Sequence, residues 1–379
     1  MKINIAFLFI FMVLTACMTN GFSLLENDII QKSDLYADED PFTFDSDGPV
    51  ILHKGNKILS YAVIPDGSFF KTDLKTITRS DTLKCNVSET GQQFRFTLKD
   101  TILTENCNYD LPEKMFIISD IEGEFRGFQL ILNAAGVIDN DLKWTFGKGH
   151  LVFTGDLFDR GLNVTQCLWL IYKLEREAEL QGGKVHFILG NHEMMNLKGK
   201  FRYVRNKYLV IADSLKLNYE EWYSQDSELG RWLRSKNGIE KIGGYLFLHA
   251  GISRNFPKDK YSLNEINDNI RISIDRKFEK GESQKDIFIG NESPLWYRGI
   301  ADMEETQEDI ENTLDAFSSS KMIIGHTIVD EIKYLYDQKV ITIDLEHKLN
   351  SEKGIMYALL YENKEFYLID SERNKTPLK

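Results

Sequence analysis

Five short motifs concentrate carboxylates, histidines, an asparagine and an arginine, and each follows an apolar run. In chain order they are "SDIEG" (119–123), "GDLFDRG" (155–161), "GNHEMMN" (190–196), "LHAG" (248–251) and "GHT" (325–327). Carboxylate, imidazole and amide groups bind divalent metals, and an arginine guanidinium binds phosphate through two parallel hydrogen bonds. The residue types therefore predict metal-assisted chemistry on a phosphate group.

The elements that must position these motifs begin at Met115, where short apolar runs alternate with helical patterns. The apolar runs are "MFIIS", "LVFTG", "VHFILG", "YLFLHAG", "KMIIGHT" and "VITIDLE". Such runs are typical of buried strands, whereas "FQLILNAAG" and "TQCLWLIYKLEREAEL" have helical periodicity. In α/β sheets, ligands bind beyond the carboxyl ends of the strands, so we expect the motifs to meet there.

Each polar residue of the motifs also has a structural explanation when it is considered alone. Asp156 and Asp159 suit a turn or a helix cap, and Asn191 suits a left-handed turn. Arg160 could form a surface ion pair. Five ordered motifs at strand ends are better explained by one shared site, so we interpret the set as catalytic.

The motifs resemble those of the calcineurin-like metallophosphoesterases, most closely the phosphoprotein phosphatase type with its motifs GDxHG, GDxxDRG and GNHE. The "MN" that follows "GNHE" and the later "PLWYRG" (294–299) resemble the Shewanella-like bacterial branch. The resemblance covers roughly residues 115–346. It implies an α/β fold, a four-layer α/β/β/α sandwich.

The family resemblance also implies a site for two divalent metal ions, Mn²⁺ or Fe and Zn. The implied ligands are Asp120, Glu122 and Asp156 for the first metal, and Asp156, Asn191, His249 and His326 for the second. In such sites, two metals about 3.5–4 Å apart hold a hydroxide for in-line attack on phosphorus. A carboxylate suits the bridging position because it offsets charge from both ions.

Residues next to the implied ligands receive catalytic roles from the same resemblance. His192 would protonate the leaving oxygen as general acid, while Asp159 would fix its tautomer and raise its basicity. Arg160 would bind two phosphate oxygens, which a lysine could not imitate. Arg298, in "LWYRG", is a second phosphate-binding candidate whose alternative is a structural ion pair.

Glu122 departs from the family pattern, which has a histidine at this position. One hypothesis is that Glu122 binds the first metal through oxygen. The additional negative charge then predicts a less acidic bridging water and a preference for Mn²⁺ over Zn²⁺. The rival hypothesis is that Glu122 turns away and leaves the first metal site weak or empty.

The start of the chain predicts export. Residues 1–16 have the pattern of a signal peptide, and "LTAC" resembles a bacterial lipobox in which Cys17 is lipidated. A plain signal peptide is the alternative. We expect residues 17–48 to form an acidic, solvated tether on the outer side of a bacterial envelope membrane. The net charge of -12 argues against nucleic-acid binding.

Beyond the tether, residues 49–110 alternate apolar runs with turn signals and predict a small β-rich region. The phosphoesterase domain is expected to span 115–370, with helical insertions near 197–240 and 255–320. The first insertion could cap the site. Its basic residues are expected to form a solvated helix face rather than a binding surface; they are Lys198, Lys200, Arg202, Arg205 and Lys207.

Cysteines and histidines outside the motifs receive structural interpretations. Cys85 and Cys107 could form a disulfide in an exported protein or remain separate thiols. Cys167 lies in an apolar helical pattern and is expected to be a buried free thiol. Structural or solvated roles are expected for the remaining histidines, which are His53, His150, His186 and His347.

The sequence as a whole predicts a metal-dependent phosphomonoesterase that is anchored to a membrane by lipid. A phosphoprotein and a small phosphate ester remain equal candidates for its substrate. A phosphodiesterase or a dinucleoside polyphosphate hydrolase is the alternative enzyme. A catalytically inactive lipoprotein that binds a partner through its β-rich region is the alternative outside enzymes.

Overall fold

The computed structural model describes residues 46–66 and 69–379 of the 379-residue chain. The expected signal peptide, Cys17 and almost all of the expected tether lie outside these residues. Within the described ranges, no helix is both long and apolar enough to cross a membrane.

Two six-stranded sheets form the centre of the molecule. The first contains, in spatial order, β17 (Lys375–Pro377), β16 (Glu365–Asp370), β15 (Tyr357–Glu362), β7 (Lys114–Ile118), β8 (His150–Phe153) and β9 (Lys184–Phe187). The second contains β13 (Lys333–Leu335), β14 (Val340–Thr342), β12 (Lys321–Ile324), β11 (Tyr245–Leu248), β10 (Ile239–Ile242) and β6 (Asn108–Tyr109). Parallel pairing joins β7 to β8 and β9 in the first sheet, and β11 to β12 and β14 in the second.

Helices accompany these sheets. They are α1 (Phe125–Ala134), α2 (Val164–Leu180), α3 (Asn191–Leu197), α4 (Asn206–Ser214), α5 (Glu228–Arg234), α6 (Leu263–Asp275), α7 (Gln307–Ala316) and α8 (His347–Glu352). Short 3₁₀ turns cover Tyr219–Tyr223, Lys258–Lys260 and Ser283–Lys285.

Strand β7 shows why the layers stack, because its side chains alternate between two apolar cores. Met115 and Ile117 lie in the core between the two sheets, whereas Phe116 and Ile118 lie in the core shared with the helices. A strand buried on both faces needs a continuous apolar run, which is what "MFII" supplies. The predicted four-layer α/β/β/α sandwich is confirmed.

The described residues before 100 form a smaller β structure. Strands β1 (Asp47–Lys54), β2 (Lys57–Asp66) and β3 (Phe69–Ile77) form an antiparallel sheet, and β4 (Leu83–Val87) pairs with β5 (Gln92–Phe96). Trp169 of α2 joins this structure to the sandwich, since its indole N–H donates to the Pro49 carbonyl at 2.8 Å. Phe96 stacks on the same indole, with 4.4 Å between the ring centroids.

A buried ion pair ties β1 to the first insertion. The Lys207 ammonium lies 2.6 Å from the Asp47 carboxylate, and both side chains are almost completely buried. The same ammonium donates to the Leu162 carbonyl at 2.5 Å. The prediction of a solvated tether is therefore wrong at Asp47, and the prediction of a solvated basic face is wrong at Lys207 and at Arg205, which is also buried.

The insertions and cysteines differ from the predictions in detail. Helix α4 starts only at Asn206, so residues 198–205 are not helical. Cys85 and Cys107 are separate buried thiols, and each donates to an oxygen of the protein. Of the two alternatives, the structure therefore contains the separate thiols and not a disulfide between Cys85 and Cys107. Cys167 is a buried free thiol, as predicted.

We expect Lys207→Met to destabilise the fold by about 3–5 kcal/mol, because Asp47 would keep a buried charge without its partner. Urea unfolding measures the loss. Lys75→Met is the matched control, since Lys75 pairs with Asp73 at the surface and such pairs contribute about 0–1 kcal/mol. Equal and small losses in both variants would show that the buried pair does not stabilise β1.

Candidate metal centre

The strand ends bring the predicted ligands together. Asp120 follows β7, Asp156 follows β8, Asn191 follows β9, His249 follows β11, and His326 follows β12. All five are buried. The two sheets thus deliver polar side chains to one edge of an apolar sandwich, where loops from both sheets meet.

His249 is the centre of the group that was predicted for the second metal. Its Nε2 atom lies 2.8 Å from Asn191 Oδ1, 3.0 Å from His326 Nδ1 and 3.1 Å from Asp156 Oδ2. A single N–H could satisfy only one of these three atoms. The convergence is therefore typical of atoms that share a cation.

Backbone carbonyls fix the tautomers of both histidines. His249 Nδ1 lies 2.7 Å from the Thr154 carbonyl, and His326 Nε2 lies 3.1 Å from the Trp296 carbonyl. Because carbonyls only accept, these nitrogens carry the hydrogens. The other two ring nitrogens then face each other with their lone pairs, which is an arrangement that a divalent metal suits. The residues present fit the metal site that the family motifs imply.

Burial and neighbouring charges act in opposite directions on the pKa values of this group. Burial alone would lower the pKa of His249. The carboxylates of Asp156 and Asp120 together outweigh burial and raise this pKa to about 10. Burial alone would raise the pKa of Asp156, yet His249 and His192 hold it below its usual range.

Glu122 faces the group that was predicted for the first metal. Glu122, Asp156 and His192 each offer a ligand atom, and these atoms lie within 4.8 Å of one another. The Glu122 carboxylate also forms an ion pair with Arg160. Glu122 thus lies beside Asp156 while it pairs with Arg160, and both hypotheses about its role at the first metal stay predictions.

Asp120 is held by the neighbouring strand end. Its Oδ2 atom accepts the His326 backbone N–H at 3.1 Å. Burial and the Asp156 charge raise the pKa of Asp120 to about 6, although His249 opposes the rise. A Cβ at Gly325 would lie 2.4 Å from the same Oδ2 atom, which explains why glycine precedes His326 in "GHT".

The predicted acid, His192, has its predicted partner. Asp159 Oδ2 lies 2.6 Å from His192 Nδ1, and Asn196 donates to the other Asp159 oxygen at 3.0 Å. Burial lowers the pKa of His192, but Asp156 and Asp159 raise it above its ordinary value. His192 therefore carries a proton readily, and Asn196 of "GNHEMMN" gains a structural role that the sequence did not show.

Glu193 is a supporting residue that the sequence analysis did not single out. Its buried carboxylate accepts backbone N–H groups from Gly190 at 2.7 Å, Leu157 at 2.7 Å and Asp156 at 2.8 Å. It thereby joins the loop after β8 to the start of α3. A glutamate in the first turn of a helix, three residues after the N-cap Gly190, was the signal that could have revealed it.

Strained backbone marks the same residues. Six of them have positive φ angles, which are 51° at Asp120, 47° at Glu122, 57° at Asp156, 72° at Asp159, 55° at Arg160 and 67° at His326. Left-handed conformations are unfavourable for residues with a Cβ and cluster at functional sites. These loop conformations are locally unfavourable, and they direct the side chains toward the group around His249 and Asp156.

An open cavity of about 380 Å³ gives access to this centre. Both predicted phosphate-binding residues line it, and Arg298 donates to the His326 carbonyl at 2.7 Å. The residues that line the cavity include none from 197–240, and a capping role of the first insertion stays a prediction. Tyr203 of that insertion instead packs beside His192, with 5.1 Å between the ring centroids.

The remaining histidines divide into two groups. His186 lies 2.6 Å from Glu240 and 2.9 Å from His150, and His53 lies 2.7 Å from Glu228, all away from the cavity. His347 is different because it lines the cavity, and burial lowers its pKa to about 4. The sequence analysis placed it in no motif.

Asp344 is a further cavity residue that was missed. It lies two positions after β14 and is buried. Burial and the Asp120 charge raise its pKa well above the usual range. The carboxylate at the end of "VITID" was the available signal, since every other motif was recognised as a polar residue that follows a strand.

Known proteins match the part of the chain that carries the motifs. The family model of the calcineurin-like phosphoesterases matches residues 114–330, more than half of the chain. An uncharacterised protein of Schizosaccharomyces pombe is 32% identical over 225 residues, which are 57% of this chain and 67% of that protein. Shewanella-like protein phosphatase 2 of Arabidopsis thaliana is 27% identical over 302 residues, covering 66% of this chain and 75% of the relative.

A solved structure extends the likeness beyond the matched family residues. The cold-active protein-tyrosine phosphatase of a psychrophilic Shewanella species superposes with a TM-score of 0.79 and 29% identity. The superposition covers 89% of this chain and all of that one. With its motifs at the strand ends of two stacked sheets, and with Shewanella-like protein phosphatases among its homologues, the chain belongs to the calcineurin-like phosphoesterase family.

Proposed function

We propose that this hydrolase is a phosphomonoesterase that works with two divalent metal ions. The observation that carries the proposal is the His192–Asp159 pair, at 2.6 Å, beside the convergent ligand group and two cavity arginines. An acid for the leaving oxygen and cations for a terminal phosphoryl group are what a monoester requires.

Most of the proposed metal ligands belong to the two groups described above, and Asp120 is included because of the family resemblance. Asp120, Glu122 and Asp156 would hold the first ion, and Asp156, Asn191, His249 and His326 the second. When bound, such ions supply Lewis acidity to the phosphoryl group and activate a water molecule as the nucleophile. Oxygen-rich ligands at the first site favour Mn²⁺ over Zn²⁺.

His192 would transfer the proton to the leaving group. Asp159 accepts from Nδ1–H and so leaves the Nε2 atom free to donate. The Nε2 atom lies 3.9 Å from Asp156 Oδ2, at the edge of the predicted metal centre. The two neighbouring carboxylates favour the charged imidazole, which is the form that a general acid needs near neutral pH.

Arg160 and Arg298 would bind the phosphoryl oxygens. Arg160 is paired with Glu122, so a phosphate that enters the cavity offers it a second anionic partner. Arg298 is exposed at the cavity and also donates to Thr327 Oγ1 at 3.2 Å. Its bonds to the segment after β12 hold the guanidinium beside His326.

The cavity wall and a structurally similar enzyme support a proposal for the substrate class. Ile328, which is 52% exposed, and the buried Leu345 give the cavity an apolar wall that suits an aryl ester. The structurally similar Shewanella enzyme is called a protein-tyrosine phosphatase. We therefore propose phosphate monoesters on proteins or small molecules, with aryl esters such as phosphotyrosine preferred.

We expect His192→Asn to lower kcat for nitrophenyl phosphate by about 10²–10⁴, because the leaving group loses its acid. The loss should be smaller for a substrate with a more acidic leaving group. His150→Asn, a histidine outside the cavity, is the control and should retain activity. A substrate panel completes the test.

Faster turnover of bis-nitrophenyl phosphate than of the monoester would overturn the monoesterase assignment in favour of a phosphodiesterase. A dinucleoside polyphosphate turned over fastest would favour the corresponding hydrolase. Turnover that is absent from the wild-type protein with every metal tried would favour the inactive binding protein instead.

Glu122→Ala should lower the metal content from two ions per chain to about one, since the first ion would lose a predicted ligand. Elemental mass spectrometry on the purified protein, after loading with Mn²⁺, measures the content. Glu346→Ala removes an exposed carboxylate from the same cavity and serves as the control. Two ions retained in Glu122→Ala would mean that Glu122 is not a ligand.

We also propose that the protein is exported and anchored by a lipid on Cys17. It would then lie in a bacterial cell envelope, outside the cytoplasm. The support is the "LTAC" pattern after an apolar leader. We expect the full chain to partition into detergent and Cys17→Ser to remain in the aqueous phase, as followed by immunoblot. Equal partitioning of the two proteins would contradict lipidation.

A further inference from the structure

One aromatic ring from the first insertion contacts two residues to which the proposed function gives roles. The Tyr203 ring lies beside the His192 imidazole, with 5.1 Å between the ring centroids and 42° between the planes. The guanidinium carbon of Arg160 lies 5.4 Å from the centre of the same tyrosine ring. Cations within about 6 Å of an aromatic ring centre are attracted to the face of the ring. The proposed acid and a proposed phosphate-binding residue thus share one support.

The backbone around Tyr203 is bonded to the loop that contains Arg160. The Arg160 N–H donates to the Tyr203 carbonyl at 3.1 Å. Arg205 donates to the Arg160 carbonyl at 3.4 Å, and the Tyr208 hydroxyl donates to the Gly161 carbonyl at 3.1 Å. Arg160 has a positive φ angle, a conformation that surrounding contacts must hold. Because the segment from Tyr203 to Tyr208 supplies such contacts, the tyrosine ring and this loop are fixed relative to each other.

The surroundings of the Tyr203 ring differ from those of an ordinary core residue. Phe201 and Val204 on either side of it pack in the main apolar core, whereas Tyr203 is half-buried and belongs to neither apolar core of the described residues. Its hydroxyl forms no hydrogen bond with any residue in the part of the chain that the structure describes. The ring, rather than the hydroxyl, is therefore what Tyr203 offers to the site.

The Arg160 side chain depends on this ring because its other contacts are few. Its guanidinium pairs with Glu122, and its buried Nε–H has no acceptor among residues 46–66 and 69–379. A guanidinium must keep its plane in one orientation to donate two parallel hydrogen bonds to a phosphate. Guanidinium groups also stack on aromatic faces, so the Tyr203 ring restricts the orientation that a single ion pair leaves open.

We infer that Tyr203 is a positioning residue that holds the His192 imidazole and the Arg160 guanidinium in the orientation that catalysis requires. This inference rests on the proposed function, which gives His192 and Arg160 their roles. Tyr203 is not among the residues that line the cavity, so it acts only through these two neighbours. Since one ring contacts both groups, its loss should weaken phosphate binding and slow proton transfer together.

Steady-state kinetics of Tyr203→Leu, Tyr203→Phe and wild type test the inference. Leucine removes the aromatic face, whereas phenylalanine keeps the face and removes only the hydroxyl. We expect Tyr203→Leu to weaken competitive inhibition by inorganic phosphate about 3–30-fold, which corresponds to the loss of one contact between a cation and an aromatic ring. Tyr203→Phe should keep the wild-type inhibition constant.

Two aryl substrates separate a positioning role from a merely structural one. Phenyl phosphate needs a proton on its leaving oxygen, whereas dinitrophenyl phosphate has a much more acidic leaving group. Tyr203→Leu should lower kcat for phenyl phosphate at least about 10-fold and kcat for dinitrophenyl phosphate much less, because only the first substrate depends on the acid. Equal losses on both substrates would show a general structural defect and overturn the positioning role.

Two control variants remove similar contacts without touching His192 or Arg160. Tyr367→Leu deletes a tyrosine ring whose centre lies 4.0 Å from the Lys375 ammonium, on a residue that does not line the cavity. Arg202→Met removes an exposed guanidinium whose carbon lies 5.1 Å from the centre of the Tyr203 ring. Both variants should keep the wild-type kcat and the wild-type inhibition by phosphate.

Wild-type kinetics in Tyr203→Leu would overturn the inference and leave the proposed function intact, and so would equal losses in the leucine and phenylalanine variants. Failure of the wild-type protein to hydrolyse either ester would overturn the proposed function itself. Thermal unfolding checks that each variant folds. Tyr203→Met replaces the leucine variant if that protein does not fold, and the same difference between the two substrates is expected from it.

Discussion

The structure depends on the confinement of like-charged groups at one edge of an apolar sandwich. Asp156 is the most constrained of them, because its carboxylate lies 3.1 Å from His249 Nε2 and also accepts the His192 backbone N–H at 2.9 Å. Such a group is stable only with positive charge close to it and with backbone that cannot relax. The imidazole rings of His249 and His192 lie beside this carboxylate and lower its pKa.

Rigid support comes from three directions. Glu193 collects backbone N–H groups from both loops around Asp156, and carbonyls fix the two metal-facing histidines. Lys207 links the Leu162 carbonyl, just beyond the Arg160 loop, to Asp47 of β1. The small N-terminal β structure therefore supports the loop that contains Arg160 and also contacts α2. The strained backbone of the site is held by contacts with elements far away in the chain.

The proposed chemistry follows from how charge is distributed around the cavity. Arg160 and Arg298 line the cavity, together with the carboxylates of Asp120 and Asp156. His192, the proposed acid, also lines it and is paired with Asp159. Under the proposed function, Glu122 would add an oxygen ligand where the family pattern has a histidine. The family scaffold would then be retained while the preference among metals moves toward Mn²⁺.

The sequence by itself determined the elements and the motifs, because strand runs and strand-end ligands are local patterns. It predicted the sandwich, and it named the residues from Asp120 to His326 that the fold brings together. Only the tertiary structure decided that Lys207 is buried, that Cys85 and Cys107 stay apart, and that Asp344 faces the site. Each of these depends on which distant segment packs against the residue, and no local spacing encodes that choice.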